Sequence, residues 1–347
     1  MLYLHAGTVK TGTTYLQKTF HINKELFEKY GLKYLPVDPS DLLLPRYANA
    51  KFLYDDGLRS HASNLIKSLS ASKVLISEEG MFGYAGHLLH PVFRDLPKKV
   101  ILYVRRTAEL VSAWAAEFCQ PYNVVRHAGD DQFHPTGRRI LPFDRALDVA
   151  CHEYAISSGR FMDIVGEFGT DNIIVRPYDQ ASLESGNLLA DFLTCLGLDA
   201  TAICMDPEFR DPGPTNMSPN RKFCDVSHAA WLHFGCPDKL MDFHPSLVAE
   251  IAKNCASGDS RTIIETMSDQ QIGWITYRFD YFESFLSRTF LHGEPLFRDS
   301  YPACYGSERE PYIDIDRNEV AALIRQHHPR AIADDASPLN RIPDQRL

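Results

Sequence analysis

The sequence predicts an α/β protein: a central parallel β-sheet flanked by helices, followed by a mainly helical C-terminal part. Three observations carry that expectation. Short apolar runs alternate with helical patterns as far as about residue 198, and alternating strands and helices build parallel sheets. Two of the runs, Lys73-Val-Leu-Ile-Ser77 and Val100-Ile-Leu-Tyr-Val104, are nearly free of polar interruption, as strands buried on both faces require. Charged and hydroxyl residues follow the strand ends, at His5, Ser77 to Glu79, Arg105-Arg106 and Arg176. Ligands bind at that edge of such sheets.

Leu2 to His5 alternate and read as the first strand. Gly7 to Gly12 form a loop rich in Gly and Thr. From Thr13 the pattern turns helical, with Leu16, Phe20 and Asn23 on one side. Leu32 to Leu35 read as a short strand stopped by Pro36, and residues 37–56 as irregular chain. A helix is expected over Leu58 to Leu69, before the Lys73–Ser77 strand. After Val104 a helix should run from Ala108 to Phe118. An inserted loop over residues 121–143 is marked by Pro121, Gly129, Pro135, Gly137 and Pro142. A helix from Phe143 to about Phe168, a strand from Asn172 to Tyr178 and a helix from Leu183 to Leu196 follow. Pro207, Pro212, Pro214 and Pro219 then make a linker-like stretch. Helical patterns dominate beyond it, at 225–235, 245–257, 262–290 and 317–327. The division expected is a core over residues 1–198 and an extension over 199–347, with the last twenty residues lying loosely on the surface.

A chain of 347 residues can bury a large core. Hydrophobic content of 44% and charged content of 23% place it among soluble globular proteins. The net charge of −9 argues against general nucleic-acid binding, so any anion site must be a local basic patch. No apolar run approaches the ~18 residues of a membrane span. The chain enters a strand directly, without the pattern of a secretory leader. The eight cysteines are scattered, with no C-x-x-C pair. That argues against a zinc site or a disulfide framework and for reduced thiols in a cytoplasm.

Strand, Gly-rich loop and helix together form the geometry that cradles phosphate, because loop amides and the helix N-terminus converge on one point. The Walker pattern is G-x-x-x-x-G-K-[ST]. Gly7 and Gly12 have its separation, and Thr14 stands where its last hydroxyl belongs. Position 13 is Thr rather than Lys, and the lysine lies inside the loop as Lys10. A Walker lysine reaches the β- and γ-phosphates, and its neighbouring hydroxyl holds Mg²⁺. A lysine at the loop apex would reach a shorter group, nearer the 5′ end of a nucleotide.

A second motif stands beside this one: a strand ending in arginine, then a helix carrying a serine, Val104-Arg105-Arg106-Thr-Ala-Glu-Leu-Val-Ser112. The pair resembles the sulfotransferases that use 3′-phosphoadenosine 5′-phosphosulfate (PAPS). The stretch Asn172-Ile-Ile-Val-Arg-Pro-Tyr-Asp179, with a following helix that ends in Leu-Gly-Leu, resembles their bacterial, carbohydrate-type members. The resemblance covers roughly residues 1–198. It implies a P-loop-like fold and transfer of a sulfuryl group to a hydroxyl or amine, on a carbohydrate or glycolipid precursor. The 3′,5′-bisphosphate PAP would be the product. It also implies no metal, since sulfuryl transfer develops less charge than phosphoryl transfer and positioned donors can stabilise it.

By that resemblance Lys10 contacts the 5′-phosphate and stabilises the leaving group, while Thr11, Gly12, Thr13 and Thr14 supply amide and hydroxyl donors. The same threonines also read as helix N-caps. Arg105 offers a planar fork to the 3′-phosphate. Ser112 would assist it, although it follows by seven residues where the family has eight. The acceptor needs a base: Glu79 is preferred, with Glu78 second, and His5 could serve as base or orient the sulfate. Tyr178 is placed for the adenine, and Arg176 reads as structural. Arg221 and Lys222 could close over the 3′-phosphate. The insert, with Tyr122, Arg126, His127, Phe133, His134, Arg138 and Arg139, is placed to act as an acceptor-binding lid. A P-loop-type small-molecule kinase and a non-catalytic nucleotide-binding protein of the same fold are the alternatives. The sequence leaves the acceptor and the oligomeric state open.

Overall fold

A computed structural model describes residues 1–34, 73–77, 97–120, 140–213, 219–233, 249, 252–253, 262–297, 318 and 322. Its centre is a five-stranded sheet, parallel throughout. The strands are β1 (Leu2–His5), β2 (Leu32–Tyr34), β3 (Lys73–Ser77), β4 (Lys98–Val104) and β5 (Ile173–Pro177), in the order β2-β3-β1-β4-β5. From β1 the chain passes to the edge strand β2, returns to β3 between the two, and then crosses to β4 and β5 on the other side of β1. The order therefore reverses at β1, and the crevice beyond its carboxyl end is the site such sheets provide for ligands.

Both faces of the sheet are buried, which explains the unbroken apolar runs. Tyr3, Leu32, Tyr34, Leu75, Ile101 and Tyr103 project to one face. They pack against Leu16 and Phe20 of α1 (Thr13–Ile22), Phe27 of α2 (Lys24–Lys29), and Leu189, Phe192 and Leu193 of the later helix Leu188–Cys195. Leu4, Ile76, Val100, Leu102 and Val104, the alternate residues, are buried on the other face. Asn23 closes α1 and is buried. Its amide donates to the Arg210 carbonyl (2.9 Å), and its carbonyl accepts from Arg210 N (2.8 Å).

After β4 come α3 (Thr107–Phe118) and α4 (Phe143–Phe168), then β5, α5 (Leu188–Cys195) and α6 (Ala200–Cys204). The helix expected from Leu183 starts five residues later. Asn187 supplies the N-cap, accepting from Ala190 N at 3.0 Å, and Ser185 ahead of it takes a left-handed φ of 52°. The pattern at 262–290 likewise divides. A short 3₁₀ turn, Ile264–Thr266, precedes α8 (Asp269–Phe290), with α7 (Arg221–His233) earlier in the chain. Ser268 and Gln271 cap α8 reciprocally: Ser268 N donates to Gln271 Oε1 (2.9 Å) and Gln271 N to Ser268 Oγ (3.2 Å).

The chain forms two compact units. One comprises Met1–Leu110, Glu153–Met217 and Ile275–Tyr301; the other comprises Val111–His152, Ser218–Trp274 and Pro302–Leu347. The first holds the sheet. In the second, Arg221 lies 4.2 Å from the centre of the Phe143 ring and pairs with Asp225 and Asp144 at 3.2 and 3.7 Å. The helix expected over Leu58 to Leu69 and nearly all of the 121–143 insert lie outside the described residues, as do 245–257 and 317–327 apart from single positions. Among the described residues no helix is long and apolar enough to cross a membrane. The described cysteines, Cys119, Cys151, Cys195, Cys204 and Cys224, carry no disulfide.

Candidate functional site

The loop between β1 and α1 is built against β4. Ala6 N donates to the Ile101 carbonyl (3.0 Å), and Thr8 Oγ1 donates to the Tyr103 carbonyl (2.8 Å). Thr11 Oγ1 donates back to the Thr8 carbonyl at 2.7 Å and closes the turn. Lys10 and Gly12 take left-handed backbone angles, φ 63° and 77°. That is ordinary for glycine and uncommon for lysine. A β-carbon at Gly7 would come within 2.3 Å of Thr13 Oγ1, and one at Gly12 within 2.5 Å of Leu188 Cδ2. Gly7 is therefore required by close approach to Thr13, whereas at Gly12 the positive φ favours glycine and the Leu188 methyl is the end of a flexible side chain.

The threonines do not cap α1. Gly12 is the N-cap residue and has no side chain to offer the helix's first amides, and the Thr11 hydroxyl is turned into the loop. Thr13 Oγ1 is buried without a hydrogen-bond partner. A helix start whose cap residue has no side chain, an orphaned buried hydroxyl and a glycine that keeps the backbone close suit an anion.

Arg105 comes to the same place because β4 outruns β1. The register sets His5 opposite Ile101, so β4 extends three residues past the end of β1 and flanks the loop. The Arg105 guanidinium donates through Nε to Glu109 Oε2 (3.0 Å) and through Nη1 to the Lys10 carbonyl (3.4 Å). It also lies 6.0 Å from the centre of the Tyr178 ring. Tyr178 is fixed by its amide, which donates to the Val104 carbonyl at 2.6 Å. A β-carbon at Gly12 would lie 3.4 Å from its hydroxyl. The Lys10 loop, Arg105 and Tyr178 are thus assembled at one edge of the sheet, within one unit. Arg106 points elsewhere. It is buried, 4.8 Å from the Phe297 ring centre and 4.0 Å from each of the Glu109 and Asp179 carboxylates.

His5 does not face the crevice. The two-residue period of β1 puts it on the face of Tyr3, which α1 and α5 cover. Its ring is fully buried, edge-on to Phe192 at 4.8 Å and to Tyr103 at 6.2 Å, and its Nδ1 shares a 2.8 Å hydrogen bond with Ser77 Oγ. Burial pushes its pKa down to about 3, so the ring stays neutral. Its Nε2 is buried without a hydrogen-bond partner, so the ring expected to serve as a base or to orient a sulfate lies packed among Tyr103 and Phe192.

Ser112 is buried on α3, in the second unit. Arg221, which the sequence offered as closing over the 3′-phosphate, pairs there with Asp144 and Asp225 and lies over the Phe143 ring. Glu78, Glu79 and the basic and aromatic residues of the insert lie outside the described residues. Arg176 pairs with buried Asp191, which also accepts from Tyr103 OH (2.6 Å) and Glu184 N (3.0 Å). Tyr103 and Arg176 are cross-strand partners, so they share the face that α5 covers. Burial raises the Tyr103 hydroxyl far above its ordinary range and the Cys195 thiol to about 11. Sequence reasoning missed Glu109 and Glu283. The first was legible as an acidic residue four positions after Arg105 on a helix. The second comes from 176 positions away in sequence, and no local signal marks it.

Among the described residues no group of three or more His, Cys, Asp or Glu could hold a metal ion. Comparison with protein-family models, curated proteins and solved structures found no match.

Proposed function

We propose that this chain is a PAPS-dependent sulfotransferase of P-loop-like fold, acting on a hydroxyl or amine of a carbohydrate or glycolipid-precursor acceptor. The observation that carries the reading is the meeting of two cationic residues at one sheet edge: the Arg105 guanidinium reaches the backbone of Lys10, beside Tyr178. PAPS is anionic at both ends of its ribose, and a single basic loop would hold one end. The switch in strand order at β1 supports the P-loop-like assignment.

In this reading the first amides of α1 and the buried Thr13 hydroxyl bind the 5′-phosphosulfate. Lys10 sits at the bridging oxygen. Arg105 takes the 3′-phosphate on its planar fork, and Tyr178 packs at the adenine. The acceptor oxygen or nitrogen attacks sulfur, the sulfur–oxygen bond to the 5′-phosphate breaks, and its electron pair leaves on that phosphate, where Lys10 offsets the charge. The acceptor proton goes to a carboxylate next to β3. Glu79 is the preferred base, with Glu78 second, since each directly follows the strand beside β1 in sequence.

The test is transfer of labelled sulfate from PAPS to a panel of glycans in Mg²⁺-free buffer. The expected result is a sulfated product, with turnover lower by roughly a hundredfold in Lys10→Ala, the scale on which lost transition-state donors act. Mg²⁺-dependent turnover of ATP without sulfate transfer would overturn the reading in favour of a kinase.

A further inference from the structure

We infer that Glu283, on helix α8, is a positioning residue for nucleotide recognition. It sets the turn that presents Arg105 and thereby contributes to selectivity for a 3′-phosphate. This rests on the sulfotransferase reading and extends the site to a helix outside the 1–198 core expected from sequence.

Three observations meet here. First, the residue at the cap position of α3 cannot accept a hydrogen bond through its side chain. Leu110 N donates to the Arg106 carbonyl at 2.9 Å, which makes Arg106 the residue at the cap position, and arginine has no side-chain acceptor to offer the helix's first amides. Glu283 supplies that acceptor from outside. Its Oε1 takes hydrogen bonds from both Thr107 N (3.1 Å) and Thr107 Oγ1 (2.6 Å). A carboxylate at a helix N-terminus is also favoured by the helix dipole.

Second, Glu283 is not a wandering surface side chain. Its neighbours Phe279, Phe282 and Leu286 are fully buried. Phe279 and Phe282 pack edge-on against Tyr154 at 4.9 and 5.9 Å, and Phe282 against Phe161 at 6.2 Å. The chain beyond α8 returns to the same turn, where Phe297 lies against the Arg106 guanidinium. Third, the turn is held at both ends. Before it, Val104 is the last residue of β4, and its carbonyl accepts from Tyr178 N. After it, Thr107 is tied to Glu283. Only Arg105 and Arg106 separate the two anchors, so the direction of Arg105 toward the Lys10 carbonyl depends on both. Releasing the second anchor lets the first turn of α3 fray and Arg105 swing.

The experiment is calorimetric titration of the full chain with PAP and with 5′-AMP, for the wild type, Glu283→Ala, Glu283→Gln and Thr107→Val, with thermal unfolding alongside. Glu283→Gln keeps an oxygen acceptor and should retain the preference for PAP. Glu283→Ala should lower the PAP-to-AMP affinity ratio about tenfold, the size expected when hydrogen bonds to a charged group are lost. AMP affinity should stay near wild type. Thr107→Val keeps the amide bond and the side-chain volume, should fold even where Glu283→Ala does not, and should show a smaller fall in the same ratio. If Glu283→Ala and Thr107→Val lower the melting temperature but leave the ratio intact, Glu283 is structural only and the inference is wrong. Equal affinity of the wild type for PAP and AMP would instead remove the two-phosphate reading beneath it.

Discussion

Thr13 and His5 show how single side chains divide between function and packing. The Thr13 hydroxyl is buried with no partner. A buried unsatisfied hydroxyl costs about 1–3 kcal/mol, and an isosteric apolar side chain removes that cost. Thr13→Val is therefore expected to leave stability unchanged or raise it by up to ~1 kcal/mol, while weakening PAP binding. Urea unfolding and calorimetry on the same protein check both halves. A loss of stability without a loss of affinity would make the hydroxyl structural. His5 gives a pH signature. Its pKa is about 3 when folded and near 6.5 in the unfolded chain. Between those values the unfolded state binds the extra proton, so stability is full above pH 6.5 and declines as the pH falls from there toward 3. The urea midpoint should drop between pH 7 and pH 5 in the wild type, and by less in His5→Gln. An equal drop in both proteins would contradict a buried neutral histidine.

Among the elements, α5 is tied to the sheet through the single carboxylate of Asp191. Asp191 receives Tyr103 of β4, Arg176 of β5 and the Glu184 amide. Removing the carboxylate leaves a partly buried arginine and a buried tyrosine hydroxyl without it. Asp191→Ala should destabilise the chain by about 3–5 kcal/mol, the range for breaking one side of a buried ion pair, read as a fall in the thermal midpoint. A change under about 1 kcal/mol would mean that water or another acceptor replaces it. Elements of this kind were legible in part. β3 was readable to the residue because both its faces are apolar. The start of α5 was misplaced because Leu183 continues the apolar pattern, whereas Asn187 decides where the helix begins. The break before α8 follows from the Ser268–Gln271 box, which lies within a helical period and is masked by it. A weaker prediction belongs to that box: Ser268→Ala should cost about 1 kcal/mol in thermal unfolding.

At the scale of the molecule, the α/β class and the loop at β1 were readable because strand burial and the Gly7–Gly12 spacing are local properties. The partners of Arg105 were readable only in part. Glu109 lies four residues away on the same helix. The Lys10 carbonyl is reached because of strand register, and Glu283 anchors the adjoining turn from a distant helix. Register also turns His5 to the face that α1 and α5 cover, since a one-residue phase along a strand decides which face a side chain takes. The structure brings the Lys10 loop and Arg105 together at one sheet edge, and the function proposed above has them grip opposite ends of an adenosine nucleotide. The most direct measurement is the affinity of the wild type and Arg105→Ala for PAP and for 5′-AMP. The expected result is a wild-type preference for PAP that falls by roughly ten- to a hundredfold in Arg105→Ala, the size of one or two charge-assisted hydrogen bonds, with AMP binding unchanged. Equal wild-type affinities, or a variant that weakens both nucleotides alike, would contradict it.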